Sequence, residues 1–454
     1  MRAYIVVDLG FGDAGKGLLT DFLARHFHAS LVVRYNGGAQ AGHHVVAPDG
    51  RQHTFSQFGS GTFIPGVQTF LSKHVVIHPG ALLVEGKTLE QKGVRDVFSR
   101  LRISEQALVI TPFHQAANRI REIIRGKDRH GSCGVGMGEA FEDAQSHLED
   151  CILAGDLNDP KMLRRKAASI RERTRTRMGE LCKERSLGQA VVAEWEVFER
   201  EGLIDDWIAS ISPIDELGLV AAERVLQAWL GQAETAIFEG AQGVLLDAQA
   251  GFHPYTTWSN CTAAQALELI SELAPGSPAY RIGVMRAYAV RHGAGPLPTE
   301  TEALTPMISE HNQANPWQGP VRYGWFDAVL ARYALGVAGG VDALAVTHLD
   351  FISRLKAWTY CPGYTGVLDL PEATIDSTSS QGVLTSFHMP PSLPLERRQA
   401  LTKALFEVTP VLDTCDRDEA VVIRTIQALT GRPVDLVSRG PAAADIQLLN
   451  PLPV

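Results

Sequence analysis

A chain of 454 residues with 45% hydrophobic and 20% charged residues can bury a sizeable core, in one elaborated unit or in roughly two or three ordinary domains. The formal net charge of −9 excludes a general nucleic-acid binder, which carries a basic footprint. Six cysteines (Cys133, Cys151, Cys182, Cys261, Cys361 and Cys415) form no CxxC pair, residues 1–8 lack a basic start and an apolar stretch, and no run of eighteen apolar residues occurs, so a soluble cytoplasmic protein with reduced thiols and no zinc site is expected.

The apolar run Tyr4-Ile5-Val6-Val7 enters the turn Gly10-Phe11-Gly12-Asp13-Ala14-Gly15-Lys16-Gly17, and Leu18 to Ala24 continues with helical spacing. Strand, glycine loop and helix in that order make a phosphate site, because backbone N–H groups at the helix N-terminus converge on an anion. The spacing matches a P-loop except that Gly17 stands where a Ser or Thr would place its hydroxyl on magnesium. A standard P-loop NTPase or a regulatory GTPase is therefore disfavoured. Asp13, inside the loop, suits a metal ligand or a proton acceptor; a helix cap is its structural alternative. A second strand, Val32-Val33-Arg34, runs into Gly37-Gly38-Ala39-Gln40-Ala41-Gly42-His43-His44.

Short strands at Phe70-Leu71 and Val75 to Ile77 and a helix from Pro79-Gly80 through Leu89 continue an alternation that predicts a mostly parallel sheet covered on both faces. Residues 130–138, with four glycines in nine positions, read as a mobile loop. The basic stretch from Lys161 to Arg185 reads as an amphipathic helix with a solvated charged face. Ala236 to Phe238 is a strand ending in Glu239-Gly240-Ala241-Gln242-Gly243, at the carboxyl end where ligands sit in open α/β sheets. One strand is expected over Arg281 to Val290, and a helix from Glu419 to Thr430 stopped by Gly431.

GDAGKG followed by VVRYNGGAQAGHHVV resembles the opening of the adenylosuccinate synthetase family, whose usual form is close to GDEGKGK and then RxxGGxNAGHTxV. Further matches at Phe238–Gly243, Pro254–Asn260, Arg291–Glu300 and Gly324–Asp327 keep the family order. The resemblance implies a single α/β domain over residues 1–454, with a large, mostly parallel twisted sheet flanked by helices, a P-loop-like phosphate site and smaller helical and loop insertions. It implies a magnesium-dependent ligase in which GTP phosphorylates O6 of an IMP-like purine nucleoside monophosphate and aspartate then displaces the phosphate. A homodimer, with neither nucleic acid nor membrane as partner, is implied too.

By the same resemblance, Asp13 is the base toward ring N1 and, with the Gly42 carbonyl, holds magnesium. Lys16 and the amides of Gly12, Gly15 and Gly17 hold the triphosphate, and His43 meets the γ-phosphate as general acid. Gln242 hydrogen-bonds the purine edge beside Leu246 and Gln40, while Ser132, Cys133 and Thr257 face the monophosphate. Asp350, Ser438 and Gly440 wall the pocket for the donor base, with GTP preferred to ATP. Three departures stand out. Ser132 and Cys133 replace two threonines, no arginine lies in Ala144 to His147 to cross a dimer interface, and of the family's aspartate-binding arginines between Pro316 and Trp325 only Arg322 survives, Gly319 and Val321 standing elsewhere. A divergent member taking another amine or a deoxynucleotide is therefore expected, with a non-catalytic nucleotide-binding protein as the alternative.

Overall fold

The computed structural model describes residues 1–183, 188–308, 317–366, 375–378, 382–390 and 392–452. Its spine is a ten-stranded sheet. From one edge the order is Ile446–Leu448, Leu436–Ser438, Ala343–Thr347, Ala279–Arg286, β1 (Arg2–Asp8), Thr235–Glu239, β2 (Leu31–Arg34), Gln68–Leu71, Leu101–Ser104 and Val220–Ala221. Only Ile446–Leu448 runs antiparallel to its neighbour. β1 explains why: Ala3, Ile5 and Val7 join the core on one face, Tyr4 and Val6 the core on the other, and all are buried. A strand apolar on both faces is stable only between two covering layers.

α1 (Lys16–His26) begins directly after the first glycine loop, with Gly15 as its N-cap. β3 (His43–Val46) pairs antiparallel with Gln52–Phe55. A separate apolar cluster, containing Phe113, Ile120, Leu163, Ile170 and Phe198, builds a helical insertion beside the sheet. None of the described helices is long and apolar enough to cross a membrane.

Two expectations change. Arg281 to Val290 is two strands: Ala279–Arg286 lies in the main sheet, and after a break at Ala287 and Tyr288 the strand Ala289–His292 pairs antiparallel with Val321–Gly324. The break is where Ala287 N donates to the Thr347 carbonyl and Arg286 turns toward the first loop. The basic helix runs Pro160–Cys182, and Arg185 lies outside the described residues. Its charged face is not simply solvated. Arg173 reaches Asp143 at 2.6 Å and Asp150 at 3.1 Å, and Arg177 reaches Glu139 at 2.6 Å and Glu142 at 3.1 Å, so the arginines clamp the insertion helices together. The helix from Glu419 to Thr430 ends at left-handed Gly431 as expected.

Candidate functional site

The first loop is shaped by the last residue of β1. The fully buried Asp8 carboxylate accepts from Gly10 N at 2.8 Å, Ala14 N at 2.9 Å and Lys16 Nζ at 2.8 Å. Lys16, also buried, donates to the Gly12 carbonyl as well. Asp13 sits one turn before α1, and Arg286 Nε donates to its carbonyl. Among the described residues the Asp13 carboxylate has no hydrogen bond or ion pair. Burial raises its pKa, with the Arg286 and Lys16 charges pulling the other way. A half-buried, uncommitted carboxylate among amides suits a divalent cation or an incoming proton, so the donor set fits magnesium.

The second loop lies against the first because Gly17 has no side chain. A Cβ there would stand 2.9 Å from His43 Cβ and 3.0 Å from the His44 carbonyl. The residue that breaks the P-loop pattern is thus the one that admits the imidazole. His43 is buried, and its Nδ1 lies 2.5 Å from Glu239 Oε1. Glu239 Oε2 accepts from Ser60 N at 2.9 Å, and the Ser60 hydroxyl donates to Oε1. Burial, then the charges of Arg34 and Lys16, push the His43 pKa down to about 4 against the pull of Glu239. Glu239 is held below the ordinary carboxyl range: burial opposes its anion, but His43, Arg34 and Ser60 outweigh it. The resting pair is neutral imidazole over carboxylate.

Among the described residues, His43 Nε2, the other ring nitrogen, is buried without a partner. Two more partnerless polar atoms belong to the same walls, Gln40 Oε1 and Gln242 Nε2. Gln242 adopts φ 56°, a costly conformation for a residue with a side chain, and its Oε1 accepts from Ser259 Oγ at 3.0 Å. Gly243 nests on the first loop, where a Cβ would fall 2.1 Å from the Gly10 carbonyl. The sequence-predicted Gly12, Asp13, Gly15, Lys16, Gly17, Gln40, Gly42, His43 and Gln242 are accordingly gathered at adjoining carboxyl ends of β1, β2 and Thr235–Glu239.

Cys133 also lies on the Asp13 side. Its thiol is pushed up to about 11 by burial and then by the Asp13 charge, and Sγ stands 3.5 Å from Gln318 Oε1. Ser132 Oγ accepts from Asn118 at 2.9 Å. The glycine loop has no regular structure until a helix starts at Met137, and it packs on Ala294 and Trp317. Thr257 N donates to the Leu246 carbonyl at 2.8 Å, joining two residues expected near the nucleotide.

Arg322 is bonded within its own chain. Its guanidinium donates to the Gly293 carbonyl at 2.9 Å, the Gly295 carbonyl at 2.6 Å and Glu300 at 2.6 Å. Buried Arg291 likewise serves the carbonyls of Ala294 at 2.9 Å, Pro296 at 3.1 Å and Tyr255 at 3.3 Å. The carboxylate-binding fork read from the sequence is committed to holding the 293–296 turn. Pro316 lies outside the described residues.

Asp350 is exposed in the turn after Ala343–Thr347, and Ser438 ends the neighbouring parallel strand, its hydroxyl donating to the Gly440 carbonyl at 2.8 Å. Thr347 Oγ1 donates to the Ala14 carbonyl at 2.8 Å, which ties this corner to the first loop. Three residues of the site carry no spacing signal in the sequence: Asp8, Ser60 and Glu239. Asp8 and Glu239 each close an apolar strand with a carboxylate, the one hint available.

The adenylosuccinate synthetase family profile matches residues 5–447. Adenylosuccinate synthetase of Pseudomonas putida is 32% identical over 445 residues, 96% of each chain, and that of Mycobacterium tuberculosis is 33% identical over 373 residues, 80% of each. Among solved structures, the fully ligated adenylosuccinate synthetase of Plasmodium falciparum superposes with a TM-score of 0.75 at 18% identity, over 99% of this chain and 100% of that one. The cyanophage S-2L succinoaminodeoxyadenylate synthetase, bound to dGMP and dATP as an energy donor, superposes with a TM-score of 0.59 at 20% identity, over 98% and 95%. With the ten-stranded sheet, the paired glycine loops and matches along nearly its whole length, this chain belongs to the adenylosuccinate synthetase family of C–N-bond-forming purine nucleotide ligases.

Proposed function

We propose that the protein uses GTP to phosphorylate O6 of an IMP-like 6-oxopurine nucleoside monophosphate and then joins an amine to C6. The observation that carries this reading is the buried, partnerless Nε2 of His43 across from a loop whose Asp13 carboxylate is uncommitted. Asp13 takes the N1 proton, O6 bonds to the γ-phosphorus, the bond from that phosphorus to the bridging oxygen breaks, and GDP departs. The amine nitrogen then bonds to C6 as the C6–O6 bond breaks and phosphate leaves. Lys16, released from Asp8, and the amides of Gly12, Gly15 and Gly17 hold the triphosphate. His43 donates to the γ-phosphate, and Gln242 with its free amide donor binds the purine edge. Asp13 and the Gly42 carbonyl would hold magnesium, which neutralises charge on the transferring phosphates.

Gln40, Leu246, Thr257, Ser132 and Cys133 contribute to the monophosphate site, and Asp350, Ser438 and Gly440 to the donor base. The enzyme works in the cytoplasm as a homodimer. A second reading, a changed amine or nucleotide, is favoured by the committed guanidinium of Arg322, since aspartate carries two carboxylates that need cationic partners. The cyanophage relative's dGMP and dATP make a deoxynucleotide and ATP the first alternatives to try.

Phosphate release with IMP, GTP, magnesium and aspartate tests the aspartate reading. Positional isotope exchange in GTP, with IMP and no amine, tests O6 phosphorylation alone. Exchange without aspartate-dependent turnover selects the changed-amine reading, and no exchange with any purine monophosphate or nucleoside triphosphate rejects both.

A further inference from the structure

We propose that Glu239 is the positioning residue for His43: clamped by Ser60, its carboxylate accepts a hydrogen bond from Nδ1–H, fixes the ring's tautomer and plane, and so aims Nε2 at the incoming triphosphate. The proposal rests on the phosphoryl-transfer reading above and assigns a role to a residue which that reading leaves unused.

The geometry is specific. An ionised carboxylate can only accept, so the 2.5 Å contact from Glu239 Oε1 to His43 Nδ1 requires the proton on Nδ1. Nε2 is then an acceptor in the resting protein, and it is buried without a partner. Nε2 is therefore the nitrogen that the ring presents to an incoming phosphate.

The charged groups facing the imidazole are Arg34 from β2, Lys16 from α1 and Glu239, while Gly17 and Ser60 bring none. Glu239 itself cannot swing away, because Ser60 N and Oγ hold its two oxygens and its side chain is fully buried. A carboxylate that orients a histidine through its far nitrogen tunes both ring direction and basicity.

The test is E239Q in the full chain, followed by positional isotope exchange in GTP with IMP, beside H43N and the double variant. Glu239→Gln keeps the shape and removes the charge. Expected are an exchange rate about 10²-fold lower with apparent KM for GTP within about threefold, because the ring loses its aim and not its nucleotide. The double variant should be no slower than H43N alone, since both changes disable one device. An E239Q rate equal to wild type, with H43N inactive, overturns the positioning role and leaves the parent reading standing. H43N as active as wild type overturns both. If E239Q does not fold, Ser60→Ala tests the same carboxylate: a five- to tenfold lower rate at unchanged KM is expected, and a rate within twofold of wild type overturns the proposal.

Discussion

Two walls of one site behave differently. On the side of the two glycine loops, His43 Nε2, Gln40 Oε1 and Gln242 Nε2 are buried and, among the described residues, left without partners, beside the half-buried Asp13 carboxylate. On the side formed by residues 130–136, 292–296 and 317–322, the cations are occupied: Arg322 and Arg291 serve turn carbonyls, and Arg119 donates to Gly134 and stacks over Trp317. A buried polar atom with no partner costs free energy that only a ligand can recover, whereas a guanidinium already bonded on three sides stabilises the chain. The first wall is prepared for nucleotide. The second is prepared to hold itself together.

The largest effect that would break this contrast is Asp13→Asn. Isotope exchange should fall about 10³-fold while GTP binding by calorimetry stays within several-fold, since the amide keeps an oxygen for magnesium but cannot take a proton. A mere helix cap would leave exchange nearly intact. Arg322→Ala should act on stability: with three bonds to the 293–300 segment gone, unfolding free energy in urea should drop by about 2–4 kcal/mol, and KM for aspartate, if aspartate is used at all, should barely move. A rise of a hundredfold in that KM at unchanged stability would show instead that Arg322 leaves its turn to bind substrate.

Gly17→Ser restores the P-loop pattern, yet its Cβ would press on His43, so about 1–3 kcal/mol of stability and about tenfold in exchange rate should be lost. A gain in activity would mean that the first wall tolerates an ordinary magnesium ligand. Smallest of all, Cys133→Ser exchanges a poor donor for a better one beside Asp13 and should lower KM for IMP about two- to fourfold. No change would place the thiol in packing against Gln318 alone.

Much of this was legible in the residues. The apolar runs ending in Gly10–Gly17 and Gly37–Gly42 announced strands delivering loops to one edge, and Pro79 and Gly431 marked helix ends that the structure keeps. Harder to read was Arg281 to Val290, where a mostly apolar run hides the break at Ala287 because the break depends on Thr347 from a distant strand. The basic helix misled for a similar reason, its carboxylate partners lying on the Met137–Ser146 helix and the turn after it.

The order of apolar strands and glycine loops determined by itself the fold class, because strand period, turn chemistry and helix starts are local properties of the chain, and the resemblance of its motifs pointed to the family. Only the tertiary structure decided which polar atoms stay free. Glu239 meets His43 across 196 positions and Arg322 meets Gly293 across 29, and whether a charge is spent on its own chain or kept for a ligand depends on neighbours that sequence distance does not reveal.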